Sequence, residues 1–300
     1  MNKGIYLVLA TALVSGMANF FNKFGMNALG KDPYQYTTLK NIVVALVLSI
    51  IVLTPVIWPK LKKLSKKQWS RLALIGLVGG SVPFLLFFKG LSMTSPVGAS
   101  FIHKTLFIWV AILALPILKE KLTKVQLLAG AMLLGGNIAF FGVKAFSWEY
   151  AYTLILIATI LWAIENVIAK ITLRDVDAIV LAWGRMFFGS IILVGYLLFT
   201  GNTTGMLDLS VSSIGWLLLV ASFLLTYVIT WYSALKTLPV TVVASFLVLA
   251  SPITTMLNSI FVSHQFPNQQ VLGIGLILSA LLLFWQFKPE NNYELKTARA

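Results

Sequence analysis

The sequence predicts an all-α membrane protein with ten transmembrane helices, laid out as two inverted five-helix repeats. Three observations carry that expectation. First, 59% of the 300 residues are hydrophobic, the mean hydropathy is +0.90, and only 11% are charged. Soluble domains carry about 25% charged residues, so a water-facing fold cannot hide this much apolar surface and lipid must be the main solvent. Second, the apolar residues come in runs of about 20, the length at which a helix rising 1.5 Å per residue crosses a hydrocarbon layer of about 30 Å. Third, polar marks recur about half a chain apart, and each half holds five runs. Two odd-numbered halves in series enter the membrane from opposite sides.

The ten runs fall near 4–29, 36–58, 69–92, 95–117, 122–143, 150–173, 177–200, 213–236, 240–262 and 269–287. The first continues from Gly4 through Phe24 with no convincing cleavage site. It is too long for a signal-peptide core and reads as a retained helix. The longest connections, Pro59 to Gln68 and Gly201 to Ser212, cannot hold a soluble domain. The chain therefore divides into a first repeat at 1–146, a second at 147–288 and a tail at 289–300.

The net charge of +14 would suggest nucleic acid in a soluble protein. Here topology accounts for much of it, and no nucleic-acid partner is expected. Lys60, Lys62, Lys63, Lys66, Lys67 and Arg71 follow span 2. Lys119, Lys121 and Lys124 follow span 4, and Lys288, Lys296 and Arg299 lie in the tail. With ten spans, all of these share a side with Lys3, whereas the other side has little beyond Lys31 and Lys144. The positive-inside rule then puts both termini in the cytoplasm of a cell (inner) membrane protein.

The repeat is legible in particular residues. Ser95-Pro96-Val97 with Ala99-Ser100-Phe101 parallels Leu238-Pro239-Val240 with Ala244-Ser245-Phe246. In that register Lys119-Glu120-Lys121 lines up with His264-Gln265-Phe266. Asn19 and Lys23 in span 1 parallel Asn166 and Lys170 in span 6, and Lys40 in span 2 parallels Arg185 in span 7.

These marks resemble the drug/metabolite transporter superfamily, and within it the ten-helix EamA-type transporters. They are Asn-x3-Lys opening each half, Lys40 or Arg185 in each second span, the proline-bearing turn between spans 3 and 4, and Lys-Glu-Lys-Leu-Thr closing span 4. The resemblance covers nearly the whole chain. It implies a secondary transporter, an exporter or exchanger of a small polar metabolite such as an amino acid or organic acid. Gln265 departs from the pattern, standing where the family usually has a second closing glutamate. That departure gives Glu120 the bland reading of a charged helix end.

Span 4 holds the most informative residues. Lys104 and His103 lie well inside an apolar run, and a cation at that depth costs on the order of 3 kcal/mol on insertion scales. Ser100, Lys104, Phe107 and Ala111 share one helical stripe, which is expected to line a cavity. Glu165, the acid well inside a span, is the candidate partner should Lys104 pair with a carboxylate, with Trp162 on its face and Asn166 beside it. Such a pair suits a proton-coupled carrier and equally a static salt bridge. Asn19 and Thr230 complete the expected solute contacts. Thr230 belongs to a stripe on span 8 with Thr226, Tyr227 and Ala234, and Ser251, Thr254, Thr255 and Asn258 form another on span 9. Lys23, Lys170, Arg185 and Glu120 are expected in gating or structural roles. Lys40 and Lys89 are expected to snorkel toward span ends. Trp231 reads as packing, and Gly76 with Gly80 reads as a close-packing pair, as do Ala131 and Gly135.

Other classes fit less well. The chain has no cysteine, no H-E-x-x-H and no Walker A sequence, so no metal or cofactor is expected. A membrane-embedded enzyme would have to rely on Ser100 and Lys104 as a Ser-Lys dyad, with no oxyanion hole in sight. A channel would not need an inverted repeat and shows no filter sequence. The expected partners are a small solute, the bilayer and protons as a candidate coupling ion, in a monomer or homodimer.

Overall fold

The computed structural model describes residues 3–141, 149–265 and 268–286, all in helices and short connections. The expected repeat boundary at 146/147 and the tail at 289–300 lie outside them. Among the described residues, nine helical stretches are long and apolar enough to cross a membrane, and a tenth, Val271–Phe284, is apolar but shorter.

Span 1 is α1 (Lys3–Leu29) and span 2 is α2 (Pro33–Val52). Asp32 caps α2 by accepting the N–H groups of Tyr34 and Gln35, and Pro33 at the first position has no N–H to satisfy. The helix was expected to reach residue 58 but stops at Val52. Pro55 disfavours helical backbone just before it, so a turn and the short α3 (Trp58–Lys62) lead into the basic loop.

Span 3 is broken into α4 (Lys66–Val78) and α5 (Val82–Met93). Ser65 and Gln68 form a reciprocal cap at its start. Pro83 lies four residues after Gly79 and has no N–H, so the Gly79 carbonyl is released from the helical ladder. Span 4 is also broken, into α6 (Pro96–His103) and α7 (Leu106–Ile117). The Thr105 hydroxyl takes the Ile102 carbonyl at 2.7 Å, and the chain tightens through Lys104. Span 5 is α8 (Lys124–Phe141).

The second half repeats the plan with α9 (Tyr150–Thr172), α10 (Ala178–Phe199) and α11 (Val211–Thr237). Span 9 comprises α12 (Val240–Phe246), a tight 3-10 turn at Leu247–Leu249, and α13 (Ala250–Asn258) with a π-turn at Ser259–Ser263. Its interruption has the same origin as that in span 3: Pro252 cannot donate to the Val248 carbonyl. Span 10 is α14 (Val271–Gln286).

The contacts identify the symmetry. Span 1 packs on span 8, as span 6 packs on span 3 (α1 with α11, α9 with α5). Span 2 packs on span 7 and span 5 on span 10, while spans 4 and 9 meet through α7 with α12 and α6 with α13. Exchanging the halves leaves this pattern unchanged. Local chemistry follows it: Asp32 and Asp177 cap the second helix of each half, and Ser65 and Ser210 the third. Lys119 and His264, aligned by sequence, both adopt left-handed backbone at φ 56° and 51°. The protein is two inverted five-helix repeats, each completing its packing on the other. Outward-facing Leu46, Ile50, Ile112, Leu128, Ile191 and Leu218 form the apolar exterior that lipid requires.

Candidate functional site

A cavity of ≈ 70 Å³ opens at mid-depth between the halves. One water needs about 10–15 Å³ by the same measure, so the space holds several waters or one small polar molecule. Matching positions on the two first helices form opposite walls: Ser15, Ala18, Asn19 and Asn22 on α1, and Trp162, Glu165 and Asn166 on α9. The second helices supply Lys40 and Arg185. Phe84, Phe87 and Phe88 of α5 face Val220, Leu224, Tyr227 and Trp231 of α11. His103 and Leu106, on either side of the break in span 4, close the wall.

The polar groups are held by specific partners. Glu165 accepts the Tyr232 hydroxyl at 2.6 Å and lies close enough to the Arg185 guanidinium for their charges to interact. The Gly79 carbonyl, freed by Pro83, accepts both Arg185 Nη2 and Trp162 Nε1 at 3.0 Å. Trp231 Nε1 donates to Asn166 at 2.9 Å. Lys40 donates to Asn22 Oδ1 at 3.0 Å and sits 3.8 Å from the Phe88 ring centroid. Among the described residues, His103 Nδ1 and Arg185 Nε are buried with no hydrogen-bond partner.

Of the residues singled out by sequence, Asn19, His103, Trp162, Glu165, Asn166 and Arg185 stand on this wall. Lys104 is 1% exposed and donates to Ser15 Oγ at 3.0 Å, so it backs a wall residue. It forms no ion pair with Glu165, its candidate partner: the carboxylate is turned to Tyr232 and Arg185. The reason is the helix break at Lys104, which removes the continuous stripe that the expectation assumed. Ser100 lies behind the wall between Asn19 Nδ2 and Ser251 Oγ, each at 3.3 Å, and the contacts of Ser100 and Lys104 do not join them as a dyad. Thr230 bonds back to its own helix and receives the Thr11 hydroxyl, away from the cavity. The span 9 stripe also turns elsewhere: Thr254 donates to the Gly16 carbonyl of α1.

Two further expectations are corrected. Lys40 does not snorkel; it is 2% exposed, because Tyr36, Phe84 and Phe88 close the route to the span end. Trp231 and Tyr227, one turn apart and stacked at 5.6 Å, are wall residues as well as packing. Sequence reasoning missed Asn22, Phe84, Phe87 and Phe88. The signal that could have found Asn22 is an amide inside an apolar run, one residue before Lys23.

Lys23 and Lys170 act alike at opposite ends of the bundle. Lys23 donates to the carbonyls of Leu91, Ser92 and Thr94 at the end of α5. Lys170 donates to those of Leu235 and Leu238 at the end of α11, at 2.6 and 2.7 Å. Each cation satisfies orphan carbonyls of a helix C-terminus. Glu120 is more than a helix end: it accepts the N–H groups of Val240 and Thr241 and the Thr241 hydroxyl, capping α12 across the two halves.

Comparisons with known proteins agree with this architecture. The model of the EamA-like transporter family matches twice, over residues 2–142 and 149–286. The uncharacterized transporter YyaM of Bacillus subtilis is 26% identical over 246 residues, 79% of either chain. An uncharacterized transporter of Archaeoglobus fulgidus is 26% identical over 278 residues, 89% of this chain and 92% of its own. A solved protein crystal structure superposes with a TM-score of 0.73 over 92% of this chain and 95% of that one, at 13% identity, a likeness of fold. Matched over both its halves, and with a solute-sized space where those halves meet, the chain belongs to the EamA-like transporter family, in the drug/metabolite transporter superfamily.

Proposed function

We propose that this transporter moves a small polar metabolite, an amino acid or organic acid, as an exporter or exchanger working by alternating access. The observation that carries the reading is the mid-depth cavity walled by equivalent positions of both halves and furnished with Lys40, Arg185 and Glu165. A buried charge in a membrane span is costly and is kept for ion or solute handling. In an inverted repeat, rocking one half against the other exposes such a site to each side in turn. The repeats are assigned to 1–146 and 147–288, and the face carrying the N-terminus and the basic loop to the cytoplasm of a cell membrane. Lys23 marks the outer gate; Lys170 and Glu120 mark the inner one. Protons are the proposed coupling ion, with Glu165 as carrier, and the protein works as a monomer or homodimer.

The test is counterflow. A thermal-shift screen of purified protein against metabolites finds a solute that stabilises the native state. Liposomes preloaded with it should then take up labelled solute faster than empty ones. Equal uptake by loaded and empty vesicles defeats the carrier reading.

A further inference from the structure

Arg185 and Lys40 occupy equivalent places in the two halves, yet their charges are treated differently. The Arg185 guanidinium has Glu165 nearby and the Gly79 carbonyl as acceptor. Lys40 has no such company. Its ammonium donates to Asn22 Oδ1, an oxygen that also accepts the Tyr36 hydroxyl at 2.7 Å. Its other neighbours are the rings of Phe88, Tyr36 and Phe84, at 3.8, 5.2 and 5.8 Å. Among the described residues the ion pairs are Lys60–Asp177 and Arg71–Asp175, both outside the cavity. An ammonium carries three donors, and a buried charge needs a counter-charge or strong hydrogen bonds. Two further buried atoms on the same wall are short of a partner among the described residues, His103 Nδ1 and Arg185 Nε.

We propose that Lys40 is the specificity-determining residue of the cavity, the seat of an anionic group on the solute, a carboxylate above all. The inference rests on the transport reading given above and assigns to one residue the carboxylate that both of its solute classes carry. The rest of the solute lies among Phe84, Phe87, Trp162 and Tyr227, which suits a flat or apolar body. A carboxylate at Lys40 supplies the missing counter-charge and takes the donors that Asn22 leaves unused. A neutral amide of the same shape supplies no charge and leaves the ammonium as it was.

The experiment uses the full chain in detergent with matched probes: phenylacetate and phenylacetamide, benzoate and benzamide. At least one carboxylate should raise the melting temperature of the unmodified protein while its amide does not. Lys40→Gln, which can still bond to Asn22, should weaken that protection about ten- to hundredfold, the range for losing a charge-assisted hydrogen bond. Lys40→Arg, keeping the charge, should retain the carboxylate preference and shows that position 40 tolerates exchange. Protection equal in Lys40→Gln, shared by the amides, or absent for every carboxylate overturns the proposal. Counterflow of a neutral or cationic solute through the unmodified protein, undiminished in Lys40→Gln, would overturn it while leaving the carrier reading intact; failure of counterflow for every solute in the unmodified protein defeats that reading instead.

Discussion

Glu165 shares its surroundings with one hydroxyl and one guanidinium, and replacing it by glutamine separates two roles. Glutamine can still accept the Tyr232 hydroxyl, which now stands at 2.6 Å. It can neither carry a proton nor offset the Arg185 charge. If Glu165 is the proton carrier, uptake by Glu165→Gln in liposomes loses its pH dependence; a profile unchanged from the parent acquits it. At this scale the sequence was legible in chemistry and poor in direction. Buried charge at residues 104 and 165 could be read from hydropathy alone. That Lys104 would reach Ser15 depended on a break after His103 that no helical period encodes, and that Glu165 would turn to Tyr232 depended on how α9 and α11 pack. Lys40 was misread because the rings that seal it, Phe84 and Phe88, come from another helix.

Helix ends are where the elements meet and where function was hardest to foresee. Gly79 illustrates the point. Its place in a Gly-rich stretch signals close packing, but its carbonyl holds Arg185 and Trp162 only because Pro83 cannot donate to it. A Cβ at Gly79 would collide with Glu165 Cγ and lie 2.9 Å from the Ile75 carbonyl. Gly79→Ala should therefore cost about 1–3 kcal/mol of stability, the usual range for overpacking, and weaken solute binding along with it. A melting temperature and affinity equal to the parent's would mean that the wall yields without loss. Asp177, outside the apolar spans at the start of α10, gives a pH test. Partial burial works against its charged form. The Lys60 hydrogen bond, the Ile179 N–H and the charges of Lys60 and Lys236 outweigh that, holding the carboxyl below its ordinary value. A folded value below the unfolded one means stability present above about pH 4 and lost as pH falls through the lower folded value. The group is part-exposed, so the effect is at most about 1 kcal/mol and shrinks in salt. Asp177→Asn should remove this share of the acid loss, seen in melting temperatures measured across that range. An unchanged acid slope places the titration elsewhere.

For the whole molecule, ten spans and an inverted repeat were legible because bilayer thickness sets run length and odd halves invert. What the period could not reveal is that the two ends of the bundle are fastened differently. At the turn between spans 8 and 9, Lys170 holds the departing carbonyls, and Glu120, from the other half, holds the arriving N–H groups of Val240 and Thr241. At the equivalent turn between spans 3 and 4, Lys23 again holds the carbonyls. There the arriving helix caps itself: Ser95 Oγ accepts the Gly98 N–H, Pro96 has no N–H to offer, and Gln265 is exposed to solvent. In the proposed alternating access, a cap internal to one half survives the rocking motion, whereas a cap lent by the opposite half breaks when that face opens. Glu120→Gln should weaken the lent cap, since the charge at the start of α12 is lost, by about 0.3–1 kcal/mol. Opening on the face that carries the N-terminus then rises roughly two- to fivefold at equilibrium. The chain has no cysteine, so a single Ala18→Cys in the cavity wall reports access without background. Membrane-impermeant maleimide applied to that face should label Ala18→Cys faster when Glu120→Gln is also present, and applied to the opposite face should label it more slowly. Labelling that speeds up equally from both faces would mean Glu120 holds the bundle together and does not choose which end opens.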